Sequence, residues 1–231
     1  MIRLVDVRPR DEYLAGHIPR AVHLDPEGDL TGDLGGGRHP LPRPEAFAAA
    51  ASRAGIGGAT FVLAYDAGGG WAQRLWWLLR HHGHDACGTL DLGSYSGPVA
   101  AGEETAEPAR FEQHAREGDT IDAEELHARL ADPGLVVVDA RAPIRWRGEH
   151  EPIDRIAGRI PGARNAFYEE PLPEGLLDAP ELVVYCGSGV TACVPLQRLI
   201  LAGREDARLY PGSFSEWYSL GPVENLSLIH I

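Results

Sequence analysis

The sequence predicts an α/β fold that occurs twice, and three features lead to that prediction. Short apolar runs typical of strands alternate with segments of helical spacing, which favours parallel sheets covered by helices on both faces. The two halves of the chain repeat each other in sequence. In each half, one apolar run stops at a chemically distinctive residue, Asp66 in the first and Cys186 in the second. We therefore expect two similar domains, each with a central, mostly parallel sheet.

The first half contains the elements of one such domain, which is expected to span residues 1–100. Apolar runs predict strands at 2–7, 22–25, 60–65 and 86–92, and the intervening segments predict helices at 8–14, 44–54 and 73–81. The second of these helices has Pro44 in its first turn and Gly55 after its end, the residue types preferred at those two positions.

The second half contains a matching set of elements and is expected to form a domain over residues 119–222. Strands are predicted at 135–139, 182–185 and 207–210, and helices at 119–130 and 194–201. The spacing of Asp122 and Glu125 predicts a capping box at the start of the first of these helices. Residues 101–118 have little apolar patterning and are expected to link the two domains.

The internal repeat shows which copy can be catalytic. It pairs residues 4–8 with 137–141, 15–21 with 157–163, and 62–66 with 182–186. In the last pair, Asp66 occupies the position that Cys186 has in the second copy. A carboxylate cannot serve as a sulfur nucleophile, so we expect catalysis in the second domain and a scaffold role for the first.

The composition excludes several classes of protein. The chain has 231 residues, 44% hydrophobic and 24% charged, which is typical of a globular protein. Its net charge of −13 argues against nucleic acid and anionic membrane surfaces as partners, and no apolar run reaches the length of a membrane span. The chain shows no signal peptide and contains only three cysteines. We therefore expect a cytoplasmic protein without a disulfide framework.

Cys186 is the candidate nucleophile. It follows a short apolar run, and Gly187, Ser188 and Gly189 lead from it towards a helix. This order places the thiol at the carboxyl end of a sheet, facing a helix N-terminus, where loop amides can stabilise a thiolate. The alternative is an inert cysteine in the core, a common role for free cysteines.

Four groups of residues carry a family resemblance. They are the Asp-Xaa-Arg sequences at 6–8 and 139–141, the Gly-Xaa-Ile-Pro segments at 16–19 and 158–161, the loop 186–191, and the segment 212–217. Over residues 2–217 the chain resembles the tandem rhodanese family of sulfurtransferases. The resemblance implies two tandem rhodanese-like domains and a persulfide intermediate on the loop cysteine.

The loop sequence Cys-Gly-Ser-Gly-Val-Thr resembles that of the 3-mercaptopyruvate sulfurtransferases, whereas thiosulfate-specific relatives typically carry basic residues inside the loop. This implies transfer of a sulfane sulfur from 3-mercaptopyruvate to cyanide, a small thiol or a thioredoxin-like protein, without a metal or cofactor. Thiosulfate as donor and a non-enzymatic persulfide carrier are the alternatives. A phosphatase of the same fold is disfavoured because no Arg lies between Cys186 and Leu196 to clamp a phosphate.

The resemblance also implies roles for residues that would bind the donor and the persulfide. Arg145 would bind the anionic end of the donor, and Arg155 would be a second substrate arginine. Either arginine could instead be a solvated surface charge. The persulfide would be held by the backbone of the loop, through Gly187, Gly189, Val190 and Thr191.

Ser188, His39 and Glu27 resemble a relay of serine, histidine and acid that moves a proton when the C–S bond breaks. Glu27 stands where the family usually has Asp, and Asp25, two residues earlier, is a supporting acid. His39 could instead only cap its loop. Asp139 is expected to be structural, holding the active loop or a neighbouring arginine.

The two ends of the chain depart from the family pattern. The family usually has a helix before the strand that begins here at Ile2, so either the N-terminus is truncated or the start of the sequence is misassigned. A truncated first domain would lose part of its helical cover, and we then expect a stability below that of complete relatives. Residues 223–231 have no counterpart in the family, and we expect them to be an artefact of gene assembly or cloning.

Overall fold

Short apolar runs form the strands of two four-stranded sheets in the computed structural model, which describes residues 1–226. Residues 227–231, the end of the predicted tail, lie outside the described part. The chain divides into two compact units: Met1–Leu34 with Leu41–Arg116, and Gly35–Pro40 with the chain from Glu117 onward. Residues 35–40 therefore belong to the second unit although they lie in the first half of the sequence.

The first unit is a parallel sheet covered by helices. Its strands are β1 (Ile2–Asp6), β2 (Val22–His23), β3 (Phe61–Tyr65) and β4 (Cys87–Thr89), and its helices are α1 (Arg10–Ala15), α2 (Pro44–Arg53) and α3 (Trp71–His81). The strand order is β2-β1-β3-β4, and all three pairings are parallel.

The second unit repeats this architecture. Its strands are β5 (Leu135–Asp139), β6 (Arg164–Asn165), β7 (Glu181–Tyr185) and β8 (Arg208–Leu209), and its helices are α4 (Ala123–Ala128), α5 (Pro143–Trp146), α6 (Cys193–Leu201) and α7 (Ser213–Leu220). The order β6-β5-β7-β8 is again fully parallel. Asp6 pairs with Tyr65 in one sheet as Asp139 pairs with Tyr185 in the other, which confirms the internal repeat.

Both faces of the second sheet are covered, as the near-continuous apolar sequence of β7 predicts. Val183 and Tyr185 lie in a hydrophobic cluster that includes residues of α4 and α7. Leu182 and Val184, which alternate with them and face the other way, are also fully buried. Helix α6 contacts β7 and β8 and covers that second face. The central strand therefore ends inside the unit.

The predicted helix boundaries are explained by their caps. Pro44 is in the first turn of α2, and Gly55 follows its end with φ +71°, a conformation that glycine adopts without strain. Asp122 caps α4 because its carboxylate accepts a hydrogen bond of 2.8 Å from the Glu125 amide. No helix within residues 1–226 is both long and apolar enough to cross a membrane.

Some elements differ from the sequence-based prediction. The strand predicted at 86–92 ends at Thr89, because Asp91 accepts a hydrogen bond from the Gly93 amide and caps a 3-10 turn at Leu92–Ser94. The helix predicted from residue 119 begins only after its Asp122 cap. Three elements were not predicted from the sequence because they are short or begin in an unusual conformation: α5, β6 and α7.

The segment 101–118, predicted to link the domains, follows the surface of the first unit for most of its length. Its amides donate to first-unit carbonyls, from Gly102 to Leu14 at 3.0 Å and from Ala109 to Ser52 at 3.0 Å. None of its residues lies in a helix or strand. Beyond the second predicted domain, Glu224 exchanges two backbone hydrogen bonds with Arg159, of 2.8 and 3.0 Å.

Candidate active site

The structure places Cys186 directly after the last residue of the buried strand β7. Its side chain is 1% exposed, and the backbone N–H of Gly189 donates to Sγ at 3.1 Å. Gly189 has φ +83°, and a side chain there would collide with the carbonyl oxygen of Pro211. A glycine at this position thus lets the loop curl back so that an amide points at the sulfur.

The start of α7 fixes the other side of the Cys186 loop. The Cys186 amide donates to Oγ of Ser213 at 3.1 Å, and the Phe214 amide donates to the Cys186 carbonyl at 3.0 Å. Ser213 is fully buried with φ +52°, an unfavourable conformation for a residue with a side chain. Its hydroxyl compensates by also donating to the Tyr210 carbonyl at 3.0 Å. The loop is therefore preorganised.

Ser188 and His39 lie together although 149 residues separate them in the sequence. Ser188 Oγ and His39 Nδ1 are 2.7 Å apart, which is hydrogen-bonding distance. Ser188 is 9% exposed, and His39 is half-buried. The hydroxyl of the loop serine is thus coupled to a group that can accept or supply a proton.

A glycine-rich segment brings His39 to this place. Gly37 has φ +89°, and a side chain there would meet the Gly212 carbonyl oxygen and, at 2.8 Å, the Ser215 hydroxyl. The next amide, that of Arg38, donates to Ser215 Oγ at 3.0 Å. Residues 35–40 can therefore lie directly against the start of α7.

Arg145, on the short helix α5, is held by two carboxylates. Its Nε donates to Glu151 at 3.0 Å and its Nη2 donates to Glu151 at 2.7 Å, a bidentate pair. Nη2 also lies 3.3 Å from Asp154, and Asp154 in turn accepts a hydrogen bond from Nη1 of Arg38. The Glu151 and Asp154 side chains are both 2% exposed, so these arginines are anchored from a buried side.

Glu151 stays ionised in this cluster. Burial alone would raise the pKa of its carboxyl, but hydrogen bonds from Arg145 and from the amides of Asp154 and Ile153 lower the pKa below its usual value. A third guanidinium, that of Arg141, lies 3.3 Å from Glu151. Three guanidiniums thus share two carboxylates, and Arg141 has a further carboxylate partner in Asp139.

Asp139 anchors Arg141 beneath the site. The carboxylate accepts hydrogen bonds from Arg141 Nη2 and from the Tyr185 hydroxyl, both at 2.6 Å. The Arg141 guanidinium also lies 4.0 Å from the centroid of the Phe214 ring, in a cation–π contact. Asp139 is fully buried.

Comparison with known proteins identifies the fold and the family. The family model for the rhodanese-like domain matches residues 1–96 and 122–220. The chain belongs to the rhodanese-like family. It is 41% identical over 233 residues to a "Probable 3-mercaptopyruvate sulfurtransferase" of Pseudomonas aeruginosa, covering 89% of this chain and 82% of the relative. It is 37% identical to the 3-mercaptopyruvate sulfurtransferase of Homo sapiens, covering 94% and 82% of the two chains.

A solved structure agrees with this membership. The crystal structure of SseA from Escherichia coli, described with the fold and mechanism of 3-mercaptopyruvate sulfotransferases, matches with a TM-score of 0.78 at 29% identity. The match covers 93% of each chain. Two tandem rhodanese-like domains, each an α/β fold, are thus confirmed for this chain.

In this rhodanese-like chain, the other residues predicted for the site differ in their exposure. Arg155 is exposed and forms no hydrogen bond or ion pair with residues 1–226. Glu27 is exposed and lies in the first unit, where Asp25 accepts hydrogen bonds from the Glu27 and Gly28 amides at 3.0 and 2.7 Å. Of the predicted persulfide-binding positions, Gly187, Gly189 and Val190 are buried and Thr191 is partly exposed.

Sequence reasoning missed three charged residues of the rhodanese-like site: Arg38, Glu151 and Asp154. A local signal existed for each. Arg38 directly precedes the predicted relay histidine, and the two acids lie between the two predicted substrate arginines. Glu151 and Asp154 pair with Arg145 only six and nine residues away, whereas the contact of Arg38 with Asp154 joins residues 116 positions apart, which a local pattern does not report. Within residues 1–226, no group of three or more His, Cys, Asp or Glu side chains is arranged to hold a metal ion.

Proposed function

We propose that this chain uses Cys186 to transfer sulfur from 3-mercaptopyruvate to a thiol or to cyanide, through a persulfide on Cys186. The observation that carries the proposal is the loop itself: Sγ accepts from the Gly189 amide, next to a serine–histidine pair 2.7 Å apart. The activities named for the relatives support the same reaction. The chain is an enzyme of the sulfurtransferase type.

In the first half-reaction, the Cys186 thiolate attacks the thiol sulfur of the donor. An S–S bond forms and the C–S bond breaks, and the electron pair of the broken bond passes to C3 of the departing pyruvate. The transferred sulfur keeps its proton, so the enzyme carries Cys186–S–SH. The departing enolate takes one proton and becomes pyruvate.

Ser188 and His39 are the proposed source of that proton. The Ser188 hydroxyl follows Cys186 by two residues, and its 2.7 Å contact with His39 Nδ1 allows the imidazole to replace a proton that the hydroxyl gives up. Glu27 is proposed as the acid that orients His39. The loop amides, with that of Gly189 already directed at Sγ, stabilise negative charge on sulfur in both half-reactions.

In the second half-reaction, an acceptor attacks the outer sulfur of the persulfide. Cyanide would take it as thiocyanate, releasing the Cys186 thiolate and one proton. A small thiol or a thioredoxin-like protein would take it as a new persulfide. These acceptors share only nucleophilicity towards sulfur, which is why we propose a class rather than one molecule.

Two features favour 3-mercaptopyruvate over thiosulfate as donor. The loop positions after Cys186 hold neutral Gly187 and Ser188, and the relatives reported above are named for the mercaptopyruvate reaction. We propose that residues 119–222 form the catalytic domain, which carries the nucleophile, and that residues 1–100 form a domain without a nucleophile of its own, because Asp66 stands in the cysteine position. A cytoplasmic location is proposed from the small number of cysteines, all three of them free thiols.

The test is steady-state sulfur transfer to cyanide with 3-mercaptopyruvate and thiosulfate side by side. We expect 3-mercaptopyruvate to have the higher kcat/KM by more than about tenfold, or about 1.4 kcal/mol of transition-state discrimination. His39→Gln and Ser188→Ala should each lower kcat with 3-mercaptopyruvate by about 10²-fold, and Glu27→Gln by less. A higher kcat/KM for thiosulfate would refute the donor assignment. Rapid Cys186 persulfidation without turnover would favour a persulfide carrier instead.

A further inference from the structure

Two guanidinium groups from different parts of the second unit converge on Gly187, the residue after Cys186. A methyl group added at Gly187 would lie 2.8 Å from Nη2 of Arg38 and 3.5 Å from both Nη atoms of Arg145. Arg38 comes from the glycine-rich segment 35–40, and Arg145 comes from α5. The absence of a side chain at position 187 leaves room for both groups.

The carboxylates of the site orient these two guanidiniums from behind. The Glu151 carboxylate accepts hydrogen bonds from Nε and Nη2 of Arg145. The Asp154 carboxylate accepts hydrogen bonds from Nη2 of Arg145 and from Nη1 of Arg38. Two terminal nitrogens then have no acceptor among residues 1–226: Nη1 of Arg145 and Nη2 of Arg38. Both are among the atoms nearest to Gly187. The N–H groups that the protein leaves unused thus face the start of the catalytic loop.

We propose that Arg38 and Arg145 together clamp the carboxylate of the sulfur donor, with Asp154 as the positioning residue that holds both. A planar carboxylate with two oxygens fits two guanidinium N–H donors better than it fits one lysine-like point charge. The clamp assigns the second donor-binding arginine to Arg38 in place of Arg155. The identity of the donor as a 2-oxo acid rests on the proposed function, whereas the carboxylate site rests on the geometry alone.

Asp154 positions both arginines of the proposed clamp. Its two oxygens are divided between the arginines, with Oδ1 on Arg38 and Oδ2 on Arg145. Because its side chain is 2% exposed, no water shell competes for those oxygens. Replacing Asp154 by Asn would free one guanidinium to turn away, so the KM for the donor should rise about tenfold while Cys186 keeps its reactivity towards a neutral reagent.

The experiment uses the full chain and two readouts. The first is KM and kcat for 3-mercaptopyruvate. The second is the rate at which Cys186 is alkylated by iodoacetate, which has a carboxylate, and by iodoacetamide, which is neutral. Arg38→Gln should raise KM about tenfold and slow alkylation by iodoacetate about tenfold, while the iodoacetamide rate stays within twofold. Arg38→Lys keeps the charge but loses the planar guanidinium, so its KM and its iodoacetate rate should lie between those of the unsubstituted chain and those of Arg38→Gln.

Arg147→Gln is the matched control, because it removes a guanidinium two residues from Arg145. The Arg147 side chain is 41% exposed and, among residues 1–226, is paired only with Glu149. It should leave both readouts within twofold. Arg155→Gln tests the sequence-based assignment: if it changes KM and the iodoacetate rate while Arg38→Gln does not, the clamp is wrong. Equal slowing of both alkylating reagents by Arg38→Gln and Arg38→Lys would also overturn it, since that points to a distorted loop.

The two readouts separate this inference from the proposed function. If 3-mercaptopyruvate is not turned over but Arg38→Gln still removes the preference of Cys186 for iodoacetate, the carboxylate clamp stands and the donor assignment fails. If turnover proceeds and Arg38→Gln alters neither KM nor the iodoacetate rate, the donor assignment stands and the clamp fails.

Discussion

The loop that follows β3 in the first unit and the loop that follows β7 in the second have the same position in the repeat but opposite chemistry. In the first, the Asp66 carboxylate accepts hydrogen bonds from the Gly68 and Trp71 amides, at 3.1 and 2.8 Å. In the second, the Cys186 sulfur accepts from the Gly189 amide at 3.1 Å. One turn holds the carboxyl group of its own aspartate, and the other holds a thiol.

The charged residues near the two loops also differ between the units. Six residues after Asp139, the second unit has Arg145, which is turned towards its loop and anchored by buried acids. Six residues after Asp6, the first unit has Glu12, which is exposed and 4.0 Å from Arg8. A carboxylate in place of the guanidinium would repel an anionic donor. Both copies of the duplicated fold therefore have loop amides that donate to the side chain after the strand. At the position six residues after the aspartate, the second copy has a guanidinium that can bind an anion and the first has a carboxylate.

The largest expected effect is on turnover. Cys186→Ser should reduce sulfur transfer from 3-mercaptopyruvate on the order of 10⁴-fold or more, because a serine hydroxyl does not form a stable persulfide equivalent. Adding Asp66→Cys to this variant should leave the rate at background, since the first unit lacks the guanidinium pair. Recovery of turnover in the double variant would show that a cysteine in the first loop is sufficient for the reaction, and would contradict the distinction between the two loops.

A second effect concerns the two units' thiols. Burial raises the pKa of the Cys87 thiol in the first unit to about 12, so at pH 8 its thiolate fraction is roughly 10³-fold below that of an ordinary cysteine. Iodoacetamide at pH 8 should label Cys186 long before Cys87, as followed by mass spectrometry of the peptides. Because the pKa is raised, labelling of Cys87 should increase about tenfold per pH unit in the folded protein and become ordinary on unfolding. Equal labelling of both thiols at pH 8 would contradict this.

A third effect is on stability and compares the two Asp-Xaa-Arg pairs. Asp139 and Arg141 are 0% and 1% exposed in their side chains, whereas Asp6 is 0% and Arg8 12% exposed. Asp139→Asn leaves a buried guanidinium undercompensated and should lower the free energy of unfolding by about 3 kcal/mol. Asp6→Asn should cost about 1–2 kcal/mol, because water reaches Arg8. Urea unfolding of the full chain measures the free energy of unfolding of both variants. Equal decreases would show that the burial of the arginine does not distinguish the two Asp-Xaa-Arg pairs.

The smallest effect is expected at the inert loop. Asp66→Ala removes the acceptor of two loop amides and should lower the free energy of unfolding by about 1–2 kcal/mol. The kcat and KM for 3-mercaptopyruvate should stay within twofold. Asp33→Ala, which removes an exposed ion pair with Arg43, is the matched control and should leave the urea midpoint almost unchanged. A large fall in kcat for Asp66→Ala would give the first loop a role in the reaction.

Much of the fold follows from local patterns. The strands β1, β3, β5 and β7 form within a residue of where apolar runs predict them, because a buried parallel strand needs a continuous apolar sequence. The cap of α4 by Asp122 and the end of α2 before Gly55 are likewise local, since each depends on residues one turn apart. The two-residue strand β6 carries too short a pattern to be recognised.

By itself, the sequence determined the duplicated α/β fold, the strand–loop–helix around Cys186, and the contrast between Asp66 and Cys186. These depend on residues adjacent in the chain. The tertiary structure shows the contact between His39 and Ser188 that the family resemblance implied. Only the tertiary structure decided that Ser213 at the start of α7 holds the loop and that Arg38 lies beside Arg145 at Gly187. The physical reason is that these contacts join segments far apart in the chain. Their geometry is set by packing against the sheet, which a local pattern of residues does not encode.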